Sequence, residues 1–188
     1  MISLKTLVYE STPIDYDGTQ LSPHWIFKRC DLLGDAVVAF LGKANVDIAH
    51  MVDLSDVKAN APIYSPRMLH FVGEWFIDSL DRAILLQHLF AGEIYELLLE
   101  QGIGSLTRKG NDIFFKSRKV SVSIATKSPL STLMHTGINI ETEGTPVPTA
   151  GLKELGIEPF DFAERVLRRF SADWEGWEKA RRKVIPRL

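Results

Sequence analysis

Hydrophobic and polar positions along the chain predict a mixture of strands and helices that do not alternate strictly. Short apolar or alternating runs, which are typical of strands, cover residues 4–9, 35–41, 68–76 and 133–140. The clearest helix is predicted over 80–101, where apolar side chains recur at steps of three and four residues. Further helical segments are predicted at 22–33, at 152–155 and from residue 160 onward. This order favours the α+β class.

A β-hairpin is predicted directly after the long helix, over residues 108–125. Asn111 and Asp112 precede its apolar first strand, and Lys119 stands at the start of its second strand. The strand that follows the hairpin contains a Gly-Ile-Asn sequence that begins at Gly137. A glycine inside a strand allows a ligand or another part of the chain to approach the backbone closely.

Residues 42–67 form the least regular part of the chain. A strand at 46–52 and a short helix or turn at 53–60 are predicted there. Pro62 and Pro66 then bracket a predicted loop, because proline interrupts both helices and central strands.

Individual residues refine these predicted elements. Ser22 and Pro23 predict the start of the first helix, with serine as the N-cap and proline at the first helical position. Gly73 predicts a β-bulge in its strand. His88 lies on the apolar face of the long predicted helix, where a hydrogen-bonded core histidine is favoured over a metal ligand.

Composition and charge are those of an ordinary globular chain. The 188 residues include 22 basic and 24 acidic ones, so a net charge of −2 gives no general argument for a nucleic-acid or membrane partner. A single cysteine, Cys30, excludes an internal disulfide and favours a reducing compartment. The sequence has no secretory signal and no apolar run long enough to span a bilayer. We therefore expect one cytoplasmic domain over residues 1–188.

The order of the motifs resembles the catalytic domain of biotin–protein ligases and their lipoate-ligase relatives. Gly34-Asp35 before an apolar strand, Asn111-Asp112, Arg118-Lys119 and Gly137-Ile138-Asn139 follow one another as the corresponding motifs do in that family. The resemblance implies a mostly antiparallel sheet flanked by helices, as in class II aminoacyl-tRNA synthetases and biotin ligases. It also implies a side branch of unknown function and a homodimer formed through exposed strand edges.

The resemblance further implies a pocket over the sheet, with Lys119 as its catalytic residue. In the family this lysine binds the carboxyl group of the acid and the nucleotide phosphate, which stabilises charge as an acyl-adenylate forms. The implied ligands are a small carboxylic acid, ATP and Mg²⁺, and the implied reaction is acyl-adenylate formation or acyl transfer. The residues expected to bind these ligands are Thr19, Gln20 (at the head group of the acid), Asn111, Asp112, His135, Gly137 and Asn139 (at phosphate or Mg²⁺).

The same residues also have purely structural interpretations. Lys119 fits a charged hairpin turn, and Asn111 with Asp112 fits an Asx turn at the entrance to a strand. Gly137 fits a bulge, and Asn139 fits a residue at the edge of a sheet. The sequence leaves both sets of interpretations open.

Three departures from the ligase pattern favour a non-catalytic alternative. Residues 42–67 replace the glycine-rich, arginine-containing loop of the ligases, and they contain several acids but no arginine before Arg67. Val122 stands three residues after the lysine, where the family has glycine, and His135 stands where biotin ligases have a small residue. The alternative function is a module that keeps the ligase fold and binds a small molecule or a protein without chemistry.

Metal and thiol chemistry are not favoured by the pattern. The five histidines form no H-E-x-x-H motif and the single cysteine allows no cysteine pair, so no metal site is predicted. A phosphate loop of the G-x-x-x-x-G-K-S/T type is also absent from the sequence. Cys30 does not stand where the acyl-transferring relatives carry their nucleophile, so a partly buried small hydrophobe is the favoured interpretation.

Overall fold

A computed structural model describes residues 4–185 and residue 187. Its strands are Lys5–Tyr9 (β1), Ala36–Val46 (β2), Ile63–Trp75 (β3), Leu106–Lys109 (β4), Asp112–Phe115 (β5), Arg118–Lys119 (β6), Ser121–Lys127 (β7) and Thr132–Glu141 (β8). Its α-helices are Trp25–Cys30 (α1), Leu54–Ala59 (α2), Leu80–Glu100 (α3), Leu152–Leu155 (α4) and Pro159–Lys183 (α5). A short 3₁₀ helix, Ile48–His50, follows β2.

The strands form a main sheet and a small accessory sheet. The main sheet has five strands in the order β1-β2-β3-β8-β7, and only the β1–β2 pair is parallel. The accessory sheet has three antiparallel strands in the order β4-β5-β6. The predicted α+β class with a mostly antiparallel sheet flanked by helices is therefore confirmed.

The main sheet is buried on both faces in its central strands. Helices α3 and α5 cover one face with an aromatic core, in which the Phe90 and Phe170 rings have centroids 4.9 Å apart. The other face packs Val38, Phe40 and Val72 against the N-terminal segment. Because successive side chains of a strand point to opposite faces, a strand covered on both sides has the nearly continuous apolar run that predicted β2.

Strand β2 is longer than its apolar run. It continues to Val46 through a register shift between Gly42 and Ala44. The backbone around Tyr16 pairs with this extension, since the Tyr16 N–H donates to the Lys43 carbonyl at 2.8 Å. The predicted separate strand at 46–52 is wrong, because this long-range pairing keeps the chain in β2 and the following residues turn.

Strand β3 also differs from its prediction. It begins at Ile63 and contains Pro66, which lies next to a register shift between Arg67 and Met68. Gly73 keeps regular pairing with both neighbouring strands, so the predicted bulge at this residue is wrong. A Cβ atom on Gly73 would lie 2.4 Å from the Trp75 ring, so packing explains the glycine.

The first helix is shorter than predicted and starts elsewhere. It begins at Trp25, and the preceding His24 has a left-handed backbone with φ of 60°, so Ser22 is not its N-cap. The helix ends at Cys30 because Asp31 is also left-handed. Two left-handed residues bracket a helix of six residues, and the apolar pattern alone does not reveal such backbone conformations.

The buried face of α3 differs from the predicted apolar face, which includes Leu85 and His88. Leu86, Phe90 and Leu97 point into the core, whereas Leu85 is 68% exposed. His88 is exposed, so its prediction as a core histidine is wrong. The helix is rich in leucine nearly all round, and the sheet and α5 select which of its apolar residues are buried.

The edges of the main sheet are β1 and β7. Ile113 on β5 and Ser121 on β7 are joined through a 3.0 Å hydrogen bond, so the accessory sheet lies along part of the β7 edge. The homodimer expected from exposed edges stays a prediction. None of the helices in the described part of the chain is long and apolar enough to cross a membrane.

The stability of the sheet is expected to depend on Gly42. A Cβ atom at this position would lie 1.9 Å from the Ile14 carbonyl oxygen, so the backbone must shift. Gly42→Ala is expected to lower the free energy of unfolding by about 1–3 kcal/mol in urea denaturation. Gly92→Ala is the matched control, because Gly92 lies in α3 with nothing within 4 Å of the added atom. The free energy of unfolding of the control should rise by about 0.5–1 kcal/mol. Equal stability of the two variants would contradict the packing argument.

Candidate functional site

A cavity of about 620 Å³ lies over the face of the main sheet that α3 and α5 leave free. We call it the site cavity. Its floor comes from β3, β7 and β8, and its walls come from residues 46–64 and 145–149. The site residues that line it are Asn111, Asp112, Lys119, Val122, His135 and Asn139. The fold therefore brings together five of the eight site residues predicted from the sequence, together with Val122.

Lys119 stands at the rim of the accessory sheet. Its Nζ atom lies 3.0 Å from Oδ1 of Asp112, and both side chains are about one third exposed. Its N–H donates to the Pro148 carbonyl at 2.9 Å, and its own carbonyl accepts the Ala150 N–H at 3.0 Å. These contacts fix the backbone of Lys119, while its ammonium group keeps donors for a ligand.

Asn111 and Asn139 each use the amide nitrogen to join strands. Asn111 Nδ2 donates to the Ser123 carbonyl at 3.1 Å, which links the β4–β5 hairpin to β7. Asn139 Nδ2 donates to the carbonyls of Lys119 and Val120 at 3.4 and 3.3 Å. Asn111 lies in the turn between β4 and β5. Asn139 lies in β8, which is an inner strand, so its interpretation as an edge residue is wrong. Each residue leaves a side-chain oxygen as an acceptor near the cavity.

Gly137 lies between His135 and Asn139 on the same face of β8, because alternate residues of a strand share a face. It pairs regularly with His70, so the sheet has no bulge at this glycine. A Cβ atom on Gly137 would lie 2.3 Å from Sδ of Met68. Met68 itself lines the site cavity, so the glycine makes room for a cavity-lining side chain.

Thr19 and Gln20 do not line the site cavity. Gln20 Nε2 donates to the Asp15 carbonyl at 3.0 Å, and Gln20 Oε1 accepts the Asp17 N–H at 3.1 Å. The hydroxyl of Thr19 donates to the Asp17 carboxylate at 2.6 Å. Both side chains therefore stabilise the turn before α1. Their neighbour Leu21 is the part of this segment that reaches the cavity.

Two buried histidines form a hydrogen-bonded pair beneath the cavity. His70 Nδ1 lies 3.1 Å from His135 Nε2, and His70 Nε2 lies 3.3 Å from the Gly42 carbonyl. The Tyr16 ring stacks on His135 with centroids 3.7 Å apart. Burial lowers the pKa of His70 to about 3, and burial and the neighbouring His70 lower the pKa of His135 well below its ordinary value. His70 and Tyr16 were not predicted from the sequence as site residues. The alternation of side chains along β3, which places His70 on the same face as Val72, is a signal that could have identified His70.

The wall opposite Lys119 is acidic. Asp53 and Asp56 come from the start of α2, and Asp53 accepts the Ser55 N–H as the N-cap of that helix. Burial raises the pKa of Asp56, and Asp53 and Asp112 raise it further while Lys119 lowers it. Lys119 is the one lysine or arginine among the described residues that line the cavity. One cation therefore faces three carboxylates.

The metal-ligating residue types and the single thiol can also be located among the described residues. Among residues 4–185 and 187, no three His, Cys, Asp or Glu side chains come together closely enough to hold a metal ion. Cys30 is half-buried on α1, away from the cavity lining. Burial raises the pKa of its thiol, which disfavours the nucleophilic thiolate.

Comparison with known proteins finds a family model described as a domain of unknown function (DUF366), which matches residues 5–185. A solved protein of unknown function from Pyrococcus horikoshi is 38% identical in sequence. The alignment covers 99% of this chain and 100% of that one, with a TM-score of 0.95. The two proteins therefore share the whole architecture described above.

Solved ligases share the fold at much lower identity. A biotin protein ligase mutant from Aquifex aeolicus in complex with biotin is 16% identical, with a TM-score of 0.60 over 93% of this chain and 72% of the ligase. A lipoate-protein ligase A bound with ATP is also 16% identical, with a TM-score of 0.56 over 92% of this chain and 85% of the ligase. The predicted biotin/lipoate ligase-like fold is confirmed. At sequence identities this low, the similarity shows a shared fold and does not show a shared function.

Lys119 and Asn139 are expected to differ in their effect on stability. Lys119→Ala removes a partly exposed ion pair and should change the free energy of unfolding by less than about 1 kcal/mol. Asn139→Ala removes a buried donor to two carbonyls and should cost about 1–2 kcal/mol. Urea denaturation of both variants checks the difference. A large loss in Lys119→Ala alone would show that the lysine has a structural role.

The buried histidine pair predicts a pH dependence of stability. The folded pKa of His70 lies near 3 while its ordinary value is 6.5, so the unfolded chain binds more protons than the folded one. The stabilisation is present above pH 6.5 and is lost as the pH falls from 6.5 toward 3, by about 1.4 kcal/mol per unit for each histidine.

Urea denaturation between pH 7 and pH 5 measures this slope before most carboxylates titrate. His135→Phe should be less stable at pH 7, because the substitution leaves His70 Nδ1 without its partner. Its stability should nevertheless depend less on pH, because one titrating group is gone. An equal slope in both proteins would contradict the neutral pair.

Proposed function

The chain belongs to the DUF366 family, and we propose that it binds a small carboxylic acid in the site cavity with the carboxylate at Lys119. One observation carries the proposal: the single lysine of the described lining opens into a cavity whose lining, apart from the acidic wall at Asp53 and Asp56, includes many apolar side chains. A carboxylate that leaves water needs such a partner, because an unpaired buried charge is costly. The acid is thus held at one end by charge and along its length by apolar contact.

The apolar residues of the cavity can contact the hydrocarbon part of the acid. Val46, Ile63, Val122 and Ile124 line it on different sides, and Met68 adds a flexible thioether. Each methylene group buried against such walls contributes on the order of 0.8 kcal/mol to binding. Val122 narrows the space where the ligases have glycine, which favours a slender aliphatic chain.

The residues around Lys119 do not fit the triphosphate of ATP. Asp53, Asp56 and Asp112 outnumber the lysine, and like charges in a partly buried site repel strongly. The segment that replaces the glycine-rich loop of the ligases forms a 3₁₀ helix and α2. Binding without nucleotide chemistry is therefore the function that these contacts favour.

Acyl-adenylate formation is the second candidate function. It is supported by the ligase-like fold and by two similar solved ligases, of which one is in complex with biotin and the other is bound with ATP. In this candidate Lys119 is the catalytic residue, Asn139 lies near phosphate, and ATP and Mg²⁺ are cofactors. It requires that the acidic wall moves away from the lysine or is neutralised.

Binding of unbranched acids, measured by isothermal titration calorimetry, tests the first candidate. Octanoate should bind, and Lys119→Ala should weaken it at least tenfold because the carboxylate loses its cation. Asp56→Asn is the matched variant on the opposite wall, and it should strengthen binding several-fold by removing a repelling charge. Equal affinity in all three proteins would show that the acid does not bind at Lys119.

Exchange of pyrophosphate into ATP separates the two candidates. The assay uses Mg²⁺ and a panel of biotin, lipoate, octanoate and the amino acids. The proposed binding protein gives no exchange with any acid, even where calorimetry detects binding. Exchange with one acid, lost in Lys119→Ala, would instead establish the adenylating enzyme and identify its substrate class.

A further inference from the structure

The hydrogen bonds of the histidine pair fix which nitrogen of His135 carries the proton. The Gly42 carbonyl can only accept, so His70 Nε2 must donate to it across 3.3 Å. His70 is neutral at physiological pH, so its Nδ1 carries no proton and accepts the 3.1 Å bond from His135 Nε2. His135 is neutral as well, and its Nδ1 is therefore left as a bare acceptor.

His135 Nδ1 has no donor in the described part of the protein. The residue is 3% exposed and lines the site cavity. Among the described residues, the side-chain polar atoms that are fully buried and lack a hydrogen-bond partner all belong to residues other than His135. Nδ1 is therefore reached from the cavity, where a ligand can supply the missing donor, and a buried acceptor without a donor is disfavoured.

From this geometry we infer that the ligand is an elongated carboxylic acid with an O–H or N–H donor at the end far from its carboxylate. His135 Nδ1 accepts that donor, and Lys119 holds the carboxylate. Tyr16 covers the imidazole with its ring parallel to within 9°, which keeps the acceptor in one orientation. The inference rests on the proposed acid-binding function and adds the chemistry of the other end of the ligand.

The spacing of the two contacts sets the length of the ligand. Asn139 touches the Lys119 carbonyl, and His135 precedes it by four residues on β8. Four residues of an antiparallel strand span about 13 Å, so the carboxylate and donor sites are on the order of 10 Å apart. An extended acid of about eight to ten carbons covers that distance. Val122 and Ile124 lie along this path on β7 and contact the methylene groups.

Calorimetry with three matched acids tests the inference. Octanoate has no polar end, 8-hydroxyoctanoate has a donor, and 8-methoxyoctanoate has a similar oxygen without a donor. The hydroxy acid should bind roughly tenfold more tightly than the methoxy acid. His135→Phe should abolish this preference, so that the hydroxy and methoxy acids bind with similar affinity, because the acceptor for the donor is gone. His135→Gln restores an acceptor oxygen and should regain part of the preference.

The outcomes distinguish this inference from the function on which it rests. Failure of all three acids to bind would overturn the proposed function and the inference together. Equal binding of the hydroxy and methoxy acids, with Lys119→Ala still disruptive, would overturn the inference alone. A preference that persists in His135→Phe would place the donor elsewhere and would also overturn it.

Nitrogen-15 NMR of the free protein provides a test that needs no ligand. The Nδ1 signal of His135 should fall in the range of unprotonated imidazole nitrogen, and its Nε2 signal in the protonated range. His70→Leu removes the group that fixes this tautomer and should shift the His135 signals toward a mixture. The opposite tautomer in the unmodified protein would overturn the inference, because a protonated Nδ1 cannot accept.

Discussion

The antiparallel pairing of β3 with β8 is the constraint on which the site depends. In this register Met68 faces Asn139, His70 faces Gly137 and Val72 faces His135. The pairing makes His70 and His135 diagonal neighbours and gives the Met68 side chain the space above the glycine. If β8 slipped by one residue, His135 and Asn139 would move to the face covered by α3 and α5, away from His70 and Met68.

Hydrogen bonds between polar groups of different strands hold the floor of the site together. His70 links Gly42 on β2 to His135 on β8, and Asn139 connects β8 to the backbone at Lys119. Such a network specifies one arrangement of side chains, since any alternative leaves a buried polar atom unpaired. Lys119 is the cation of this lining, and His135 Nδ1 is one of its acceptors, beside the side-chain oxygens of Asn111 and Asn139.

The carboxylates around Lys119 distinguish this site from the nucleotide-binding sites of ligases that share its fold. The fold is shared with biotin and lipoate ligases, but α2 directs Asp53 and Asp56 into the cavity opposite Lys119. A lysine among three carboxylates still binds one carboxylate by direct contact, whereas a triphosphate brings several negative charges to the same place. For this reason we propose acid binding rather than nucleotide binding for this chain.

The sequence by itself determined the α+β class, most strand and helix positions, and the assembly of Asn111, Asp112 and Lys119, since local patterns and ordered motifs carry that information. Tertiary structure decided the extension of β2, the buried face of α3 and the location of Thr19 and Gln20 outside the cavity. It also created the His70–His135 pair from residues 65 positions apart. The physical reason is that pairing between distant strands fixes which side chains meet, and no local pattern records that choice.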